Sequence, residues 1–252
     1  MTVLYFSATG NGLYLAKKIG GRRISIPRAV KSGALTFQDD KIGIVFPIFA
    51  LCVPPYIRDF LQEVQLKSNY IFALMSYGMM AGGAASHLLE LSNENGIHFS
   101  YINSIRMVDN YLPNFEMERQ KKGEARKQIE AHLQVIIDDI SHNRQWVHKD
   151  SILDKLFTRN FLKAYPYDTG VGVTRKYSVE NNCSQCATCA EVCPTDNIAV
   201  ADAKPSFGEK CISCLSCIHN CPQRTIHILG EKSESRFRNQ HISLAEICDS
   251  NN

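Results

Sequence analysis

No stretch of this sequence is apolar for long enough to cross a bilayer. The longest, Ile42–Pro55, falls short of the roughly 20 residues a spanning helix needs and is broken by prolines. Neither sign of charge is in much excess: 28 Lys and Arg face 25 Asp and Glu, a formal net of +3, so neither nucleic acid nor an anionic membrane is expected as a partner. Lys121 and Lys122 lie beside Glu118 and Glu124 and read as a solvated helix face. Most of the chain also lacks cysteine, with only Cys52 and Cys248 outside one short block. No secretory segment leads from Met1, so a disulfide scaffold is not expected and the protein is expected to be cytoplasmic. The histidines His87, His98, His132, His219 and His227 show no paired ligand spacing. Nothing in the sequence speaks to oligomeric state.

The short block is what the chain does have. Cys183, Cys186, Cys189 and Cys193-Pro194 are followed by Cys211, Cys214, Cys217 and Cys221-Pro222. Each run reads C-x2-C-x2-C-x3-C-P, and 211 minus 183 and 221 minus 193 both give 28, the mark of an internal duplication. Thiolates this close in a reducing compartment need a soft metal, and three at x2 spacing wrap a loop around one face of an iron–sulfur cube. Zinc knuckles use paired C-x2-C units, and a third cysteine at x2 with a proline after the fourth has no purpose in a tetrahedral site.

These residues resemble bacterial two-cluster ferredoxins over roughly residues 177–230. In that family the cysteine before proline crosses to the other cluster. The resemblance therefore implies Cys183, Cys186, Cys189 and Cys221 on one [4Fe-4S] cluster and Cys211, Cys214, Cys217 and Cys193 on the other. A unit this short has little apolar core, and crossed ligands would staple its halves together.

The first half reads differently. Val3–Phe6 is a short buried-strand run that ends in Ser7-Ala8-Thr9-Gly10-Asn11-Gly12, and a helical pattern follows over Leu13–Ile19. A strand, a small polar loop and a helix N-terminus form an anion site. The loop lacks the Gly-Lys-Ser/Thr of triphosphate sites and the G-x-G-x-x-G of dinucleotide folds. Taken alone such a loop is generic, and binding nothing is an equal alternative. Further buried strands are expected at Ile24–Ile26, Lys41–Phe46, Tyr70–Met75 and His98–Ile105. Helices are expected from Pro54-Pro55 to Glu63 and over Ala84–Asn95, giving an α/β doubly wound parallel sheet.

Ser7, Thr9, Gly10 and Asn11 match the first loop of flavodoxins, S/T-x-T-G-x-S/T, which holds the phosphate of FMN; Gly12 departs from it by lacking the last hydroxyl. The flavodoxin resemblance implies strand order 2-1-3-4-5, with the isoalloxazine between the loops Pro47–Val53 and Ser76–Gly83. It makes Pro47, Ile48, Phe49, Ser76, Tyr77, Gly78 and Gly83 the candidate ring contacts, Tyr77 foremost for stacking, with Met79 beside them. Phe49 reads equally as core and the methionines as gap fillers. Pro47–Val53 has no glycine, and a residue with a Cβ resists positive φ, so the peptide flip flavodoxins use there is expected to be costly.

Asp109–Phe115 either closes over a flavin or merely connects. Glu116–Arg144 is expected to be one long helix, with the stripe Ile129, Leu133, Ile136, Ile137 and Ile140 on the sheet. Residues 145–176 are expected to dock the cysteine-rich unit on the sheet, with a helix over Ile152–Ala164 and a turn at Tyr165-Pro166-Tyr167. Cys52 is expected to be a small buried residue and Cys248 to lie in a frayed tail.

The expected parts are therefore a flavodoxin-like FMN domain (1–144), a docking segment (145–176), a small α+β ferredoxin-like domain with two [4Fe-4S] clusters (177–232) and a tail (233–252). The whole resembles ferredoxins with an amino-terminal flavodoxin domain. That implies electron transfer between the clusters, FMN and a redox partner protein. Two alternatives stand beside it: an FMN-dependent reductase of a small substrate, disfavoured by the lack of an acid–base pair near the flavin loops, and a ferredoxin whose flavodoxin-like part has become a docking platform.

Overall fold

The computed structural model describes residues 1–164, 169–201 and 204–251. The turn expected at Tyr165–Tyr167 lies outside them. Six parallel strands form the central sheet, β1 (Thr2–Tyr5), β2 (Arg22–Ser25), β4 (Lys41–Pro47), β6 (Tyr70–Tyr77), β7 (Tyr101–Arg106) and β8 (Trp146–Val147), while β3 (Thr36–Gln38) and β5 (Gln65–Lys67) pair alongside. The order is β2-β1-β4-β6-β7-β8, so the five expected strands take the expected order and a sixth is added at the edge. No described helix is long and apolar enough to cross a membrane.

Both faces of the sheet are covered, which is why its strands are apolar at consecutive positions rather than alternate ones. Leu4, Phe6, Ile42, Ile44 and Phe46 face a core closed by α2 (Ile26–Ser32), α3 (Pro55–Glu63) and α4 (Ala84–Glu94). Val3, Tyr5, Val45, Phe72 and Leu74 face the other, under α1 (Asn11–Ile19) and α6 (Ile129–Ser141). Ile26 belongs to α2 rather than to a strand, because the Ser25 hydroxyl accepts from Arg28 N at 3.4 Å and Pro27 sits in the first helical turn. The last expected strand starts at Tyr101, not His98.

The long helix expected over Glu116–Arg144 is three pieces. Glu116 caps α5 (Met117–Lys122), a 3-10 turn covers Glu124–Lys127, and Gln128 turns into the left-handed region (φ 49°) before α6. The expected stripe does its job in α6, where Leu133, Ile136 and Ile140 are buried. The described residues of 145–176 do more than meet the cysteine-rich unit. They supply β8 and then α7 (Ile152–Ala164), whose Thr158 Oγ1 accepts from Gly83 N at 2.9 Å and so seats the helix on the glycine-rich loop before α4. Asp150 helps by accepting from Ser86 N at 2.6 Å. The cysteine block is met around α8 (Val171–Thr174), where Gly170 N donates to Cys211 O at 2.7 Å and Lys176 O accepts from Leu229 N at 2.8 Å.

The sequence repeat is also a repeat of backbone. β9 (Tyr177–Val179) pairs antiparallel with β12 (Ile226–Ile228), and β10 (Ile198–Val200) with β11 (Pro205–Phe207). A shift of 28 carries β9 onto β11 and β10 onto β12, and the pair Val179–Ile226 onto Phe207–Ile198. The non-glycine residues held at positive φ obey the same shift: Gln185 and Ser213, Ala187 and Leu215, Asp196 and Arg224. Short helices α9 (Thr188–Glu191) and α10 (Ser216–Asn220) complete the two halves.

The C-terminal residues are not frayed. From Ser233 the chain runs back across the sheet domain into α11 (Leu244–Asn251), with Phe237, Asn239, Ile242, Ile247 and Asn251 buried. Ile242 and Ile247 share the second face's core with Val192 of the cysteine block, so that core draws on three of the four expected segments.

Candidate functional site

Two cavities open in the cysteine block, and their walls divide the cysteines as the crossed arrangement requires. The first, about 330 Å³ and partly open to solvent, is lined by Cys183, Cys186, Cys189 and Cys221. The second, about 320 Å³ and likewise partly open to solvent, is lined by Cys193, Cys211, Cys214 and Cys217. Each therefore takes three cysteines from one repeat and the pre-proline cysteine of the other. Among the described residues no three His, Cys, Asp or Glu side chains close on a single point as one metal ion would need; the thiols stand around the cavity walls instead.

The left-handed residues explain how so short a chain encircles a cavity. Gln185 and Ala187 (φ 58° and 60°) and their counterparts Ser213 and Leu215 (both 57°) reverse the backbone between successive cysteines. Donors then meet sulfur. Asn197 N donates to Cys193 Sγ at 3.3 Å, and the Thr188 and Thr225 hydroxyls stand 3.3 and 3.5 Å from Cys186 and Cys221. Burial pushes the Cys189 thiol up to about 11 and raises Cys214 and Cys217 as well, so these groups ionise only with a cation among them. Tyr56 buries its hydroxyl without a hydrogen-bond partner, within electrostatic reach of Cys214 and Cys193. Soft donors, cavity walls and an orphaned donor nearby all fit a [4Fe-4S] cluster in each site.

The loop expected to hold the FMN phosphate is closed by the chain itself. Ser7 and Thr9 are each 2% exposed, Asn11 8%. Ser7 Oγ accepts from Gly10 N at 3.1 Å. Ala8 O accepts from Ser216 Oγ (2.8 Å) and Asn220 Nδ2 (3.2 Å) of α10, and Thr9 O from Asn239 N (2.8 Å). Asn110 Nδ2 donates to Thr9 Oγ1 at 2.6 Å, and Asn239 Nδ2 to Asn11 Oδ1 at 3.1 Å. A Cβ at Gly10 would fall 2.9 Å from Asn239 Cβ, and one at Gly12 only 2.3 Å from Phe6 O, which accounts for the hydroxyl missing at Gly12. His219 ties the same region together: its Nε2–H donates to Asn110 O at 2.7 Å, its Nδ1 accepts from Phe237 N at 3.1 Å, and burial pushes its pKa down to about 4. The residues present do not fit FMN.

The two ring loops lie against each other rather than forming a slot. Pro47 is paired with Ser76, Ile48 N donates to Ser76 O at 2.7 Å, and Phe49 joins Cys52 in a tight turn with its ring edge-on to Phe6. Within that turn Ala50 and Leu51 are both at positive φ (47° and 67°), strain of about 1–2 kcal/mol each that the sequence argues against. A Cβ at Gly82 would lie 2.6 Å from Leu51 Cβ, and one at Gly78 2.0 Å from the Asp109 carboxylate. Tyr77 is half-buried at the strand end, and Gly83 is bonded to Thr158. Met79 is exposed. Cys52 is the small buried residue expected, its thiol raised to about 11 by burial.

Thr188, Ser216, Asn220 and Asn239 were not singled out by sequence. The first two stand 28 apart, so the repeat could have paired them; nothing in the sequence marks Asn239.

No protein-family model matches the chain, and no curated protein matches it. Among solved structures it is similar to the Trp repressor binding protein of Bacillus subtilis, at 10% identity over 42% of this chain and 83% of that one, with a TM-score of 0.30.

Proposed function

We propose that this chain is an electron-transfer protein that holds two [4Fe-4S] clusters and serves a redox partner protein, with a flavodoxin-like sheet as mount for a ferredoxin-like unit. The observation that carries this reading is the exchange of Cys193 and Cys221 between the two cavities. Each cluster, when bound, supplies one-electron chemistry at low potential. The chain's part is to wrap each site with left-handed turns, to donate amides and hydroxyls to its sulfurs and to cover the loop of one site more than that of the other. No role is assigned to FMN, because the loop that would hold its phosphate is spent on α10 and Asn239.

Anaerobically reconstituted protein should carry about eight irons and eight sulfides. Cys193→Ala should damage the site lined by Cys211, Cys214 and Cys217, and Cys189→Ala the other. EPR of the two variants decides, since loss of the same cluster from both would contradict the crossed assignment, and bound zinc would contradict the reading itself.

A further inference from the structure

The two cysteine sites are related by the 28-residue repeat, yet they are not surrounded alike. Ser184, Gln185 and Cys186 are exposed, whereas their counterparts Ile212, Ser213 and Cys214 are half-buried; Ala187 is half-buried and Leu215 buried. The crossed cysteines follow suit. Cys221 of the first site is half-buried and followed by an exposed Pro222, while Cys193 of the second is buried with Pro194. The sheet domain provides the extra cover, since Ile212 and Cys214 pack on the core that also holds Phe49 and Tyr56.

Both sites have hydroxyls near sulfur, but they stand closer at the first: Thr225 Oγ1 lies 3.5 Å from Cys221 Sγ, while Thr195 Oγ1 and Tyr177 OH lie 3.7 Å from Cys193 Sγ and 3.8 Å from Cys211 Sγ. Thr188 Oγ1 stands 3.3 Å from Cys186 Sγ, and the Ser184 hydroxyl is a further partner of that sulfur. Twenty-eight residues on stand Ser216, whose hydroxyl is committed to Ala8 O at 2.8 Å, and Ile212, which has none. The Thr188 and Ser216 amides are bonded to Cys186 and Cys214 alike, and Asn197 N adds a donor to Cys193 at 3.3 Å. An added electron makes a cluster more negative, so hydroxyl donors and nearby water stabilise the reduced state and apolar enclosure disfavours it.

We infer that the Thr188 and Ser184 hydroxyls and the open loop 183–187 set the Cys183, Cys186, Cys189, Cys221 site at the higher reduction potential of the two, leaving the Cys193, Cys211, Cys214, Cys217 site as the inner, lower-potential one. The inference rests on the electron-carrier reading. Inside the chain it gives one electron a downhill direction: the inner site is oxidised by one, the outer is reduced by one, and no bond or proton changes place. Thr188 and Ser184 are positioning residues that act through a ligand sulfur.

An anaerobic redox titration of the reconstituted full chain, followed by EPR, should resolve two one-electron waves. Thr188→Val and Ser184→Ala should each move the higher wave to more negative potential and leave the lower in place, while Ser216→Ala should move neither. A shift of the lower wave by Thr188→Val, or waves that ignore both substitutions, would overturn the inference. Iron and sulfide counts on the same samples separate it from the reading beneath. A chain that takes up neither overturns both, whereas one carrying about eight of each whose two waves coincide overturns the inference alone.

Discussion

At position 12 the flavodoxin pattern asks for a hydroxyl, and Phe6 O stands where its Cβ would go. The missing side chain is thus a condition of how closely α1 packs on β1, not a weakened ligand contact. Gly12→Ser should cost about 1–3 kcal/mol, as overpacked sites do, seen as a lower urea midpoint. It should not create flavin binding: titrating FMN into the variant, as into the parent, should leave flavin fluorescence unquenched, and stoichiometric quenching in either would reopen the loop as a site. The strained pair Ala50 and Leu51 is the converse case, in which side chains sit where glycine would be easier. Leu51→Gly would relieve about 1–2 kcal/mol of backbone strain while losing the contact with Gly82, so a near-neutral melting temperature is expected.

Among elements, α11 shows how a short helix whose apolar stripe is only Leu244, Ile247 and Cys248 is fixed. Ser243 and Glu246 form a capping box: Ser243 Oγ accepts from Glu246 N at 3.2 Å and Glu246 Oε2 from Ser243 N at 2.9 Å. Lys17 adds an ion pair at 2.7 Å, and with it the Glu246 carboxyl falls to about 2. A depressed carboxylate contributes stability above its unfolded pKa, near 4.5, and loses it as pH falls towards 2. The stability gap between the parent and Glu246→Gln, from unfolding curves at several pH values, should therefore narrow as pH drops below about 4.5. Ser243→Ala should cost about 1 kcal/mol and speed amide exchange in α11 first. The strands of the sheet were legible because each is a compact apolar run between breakers. The grouping of the cysteines around two cavities was legible because their spacing is local. The break at Gln128 and the strap that Asn239 makes across the first loop were not, since both depend on partners more than a hundred residues from their own position or on a single φ.

For the molecule as a whole, the expected division into four parts does not survive as a division of cores. Val3, Leu133, Val192, Ile242 and Ile247 belong to one cluster, and Val108, Leu112 and Met117 join Cys189, Ile218 and Phe237 in another. Parts that share cores unfold together. Circular dichroism of the sheet and absorbance of the proposed clusters should thus report one thermal transition in the reconstituted protein; two well-separated transitions would show the cysteine block to be an independent domain. On the proposed reading, the same sharing means that removing iron should destabilise the sheet as well as the cysteine loops.

Tyr5 and Ser25 are hydrogen-bonded to Ser250, and Thr9 to Asn239, so the first strands of the sheet are tied to residues more than 200 positions further on. On a ribosome the rim around Thr9 must therefore stand open until Asn239 has been made. Closing so large a loop costs little more in chain entropy than closing a moderate one, because the penalty grows only with the logarithm of its length. The burden falls on time: Cys183 to Cys221 are made while His219 of α10 still lacks its partner Phe237, an interval in which the proposed clusters would have open access before the fold shuts.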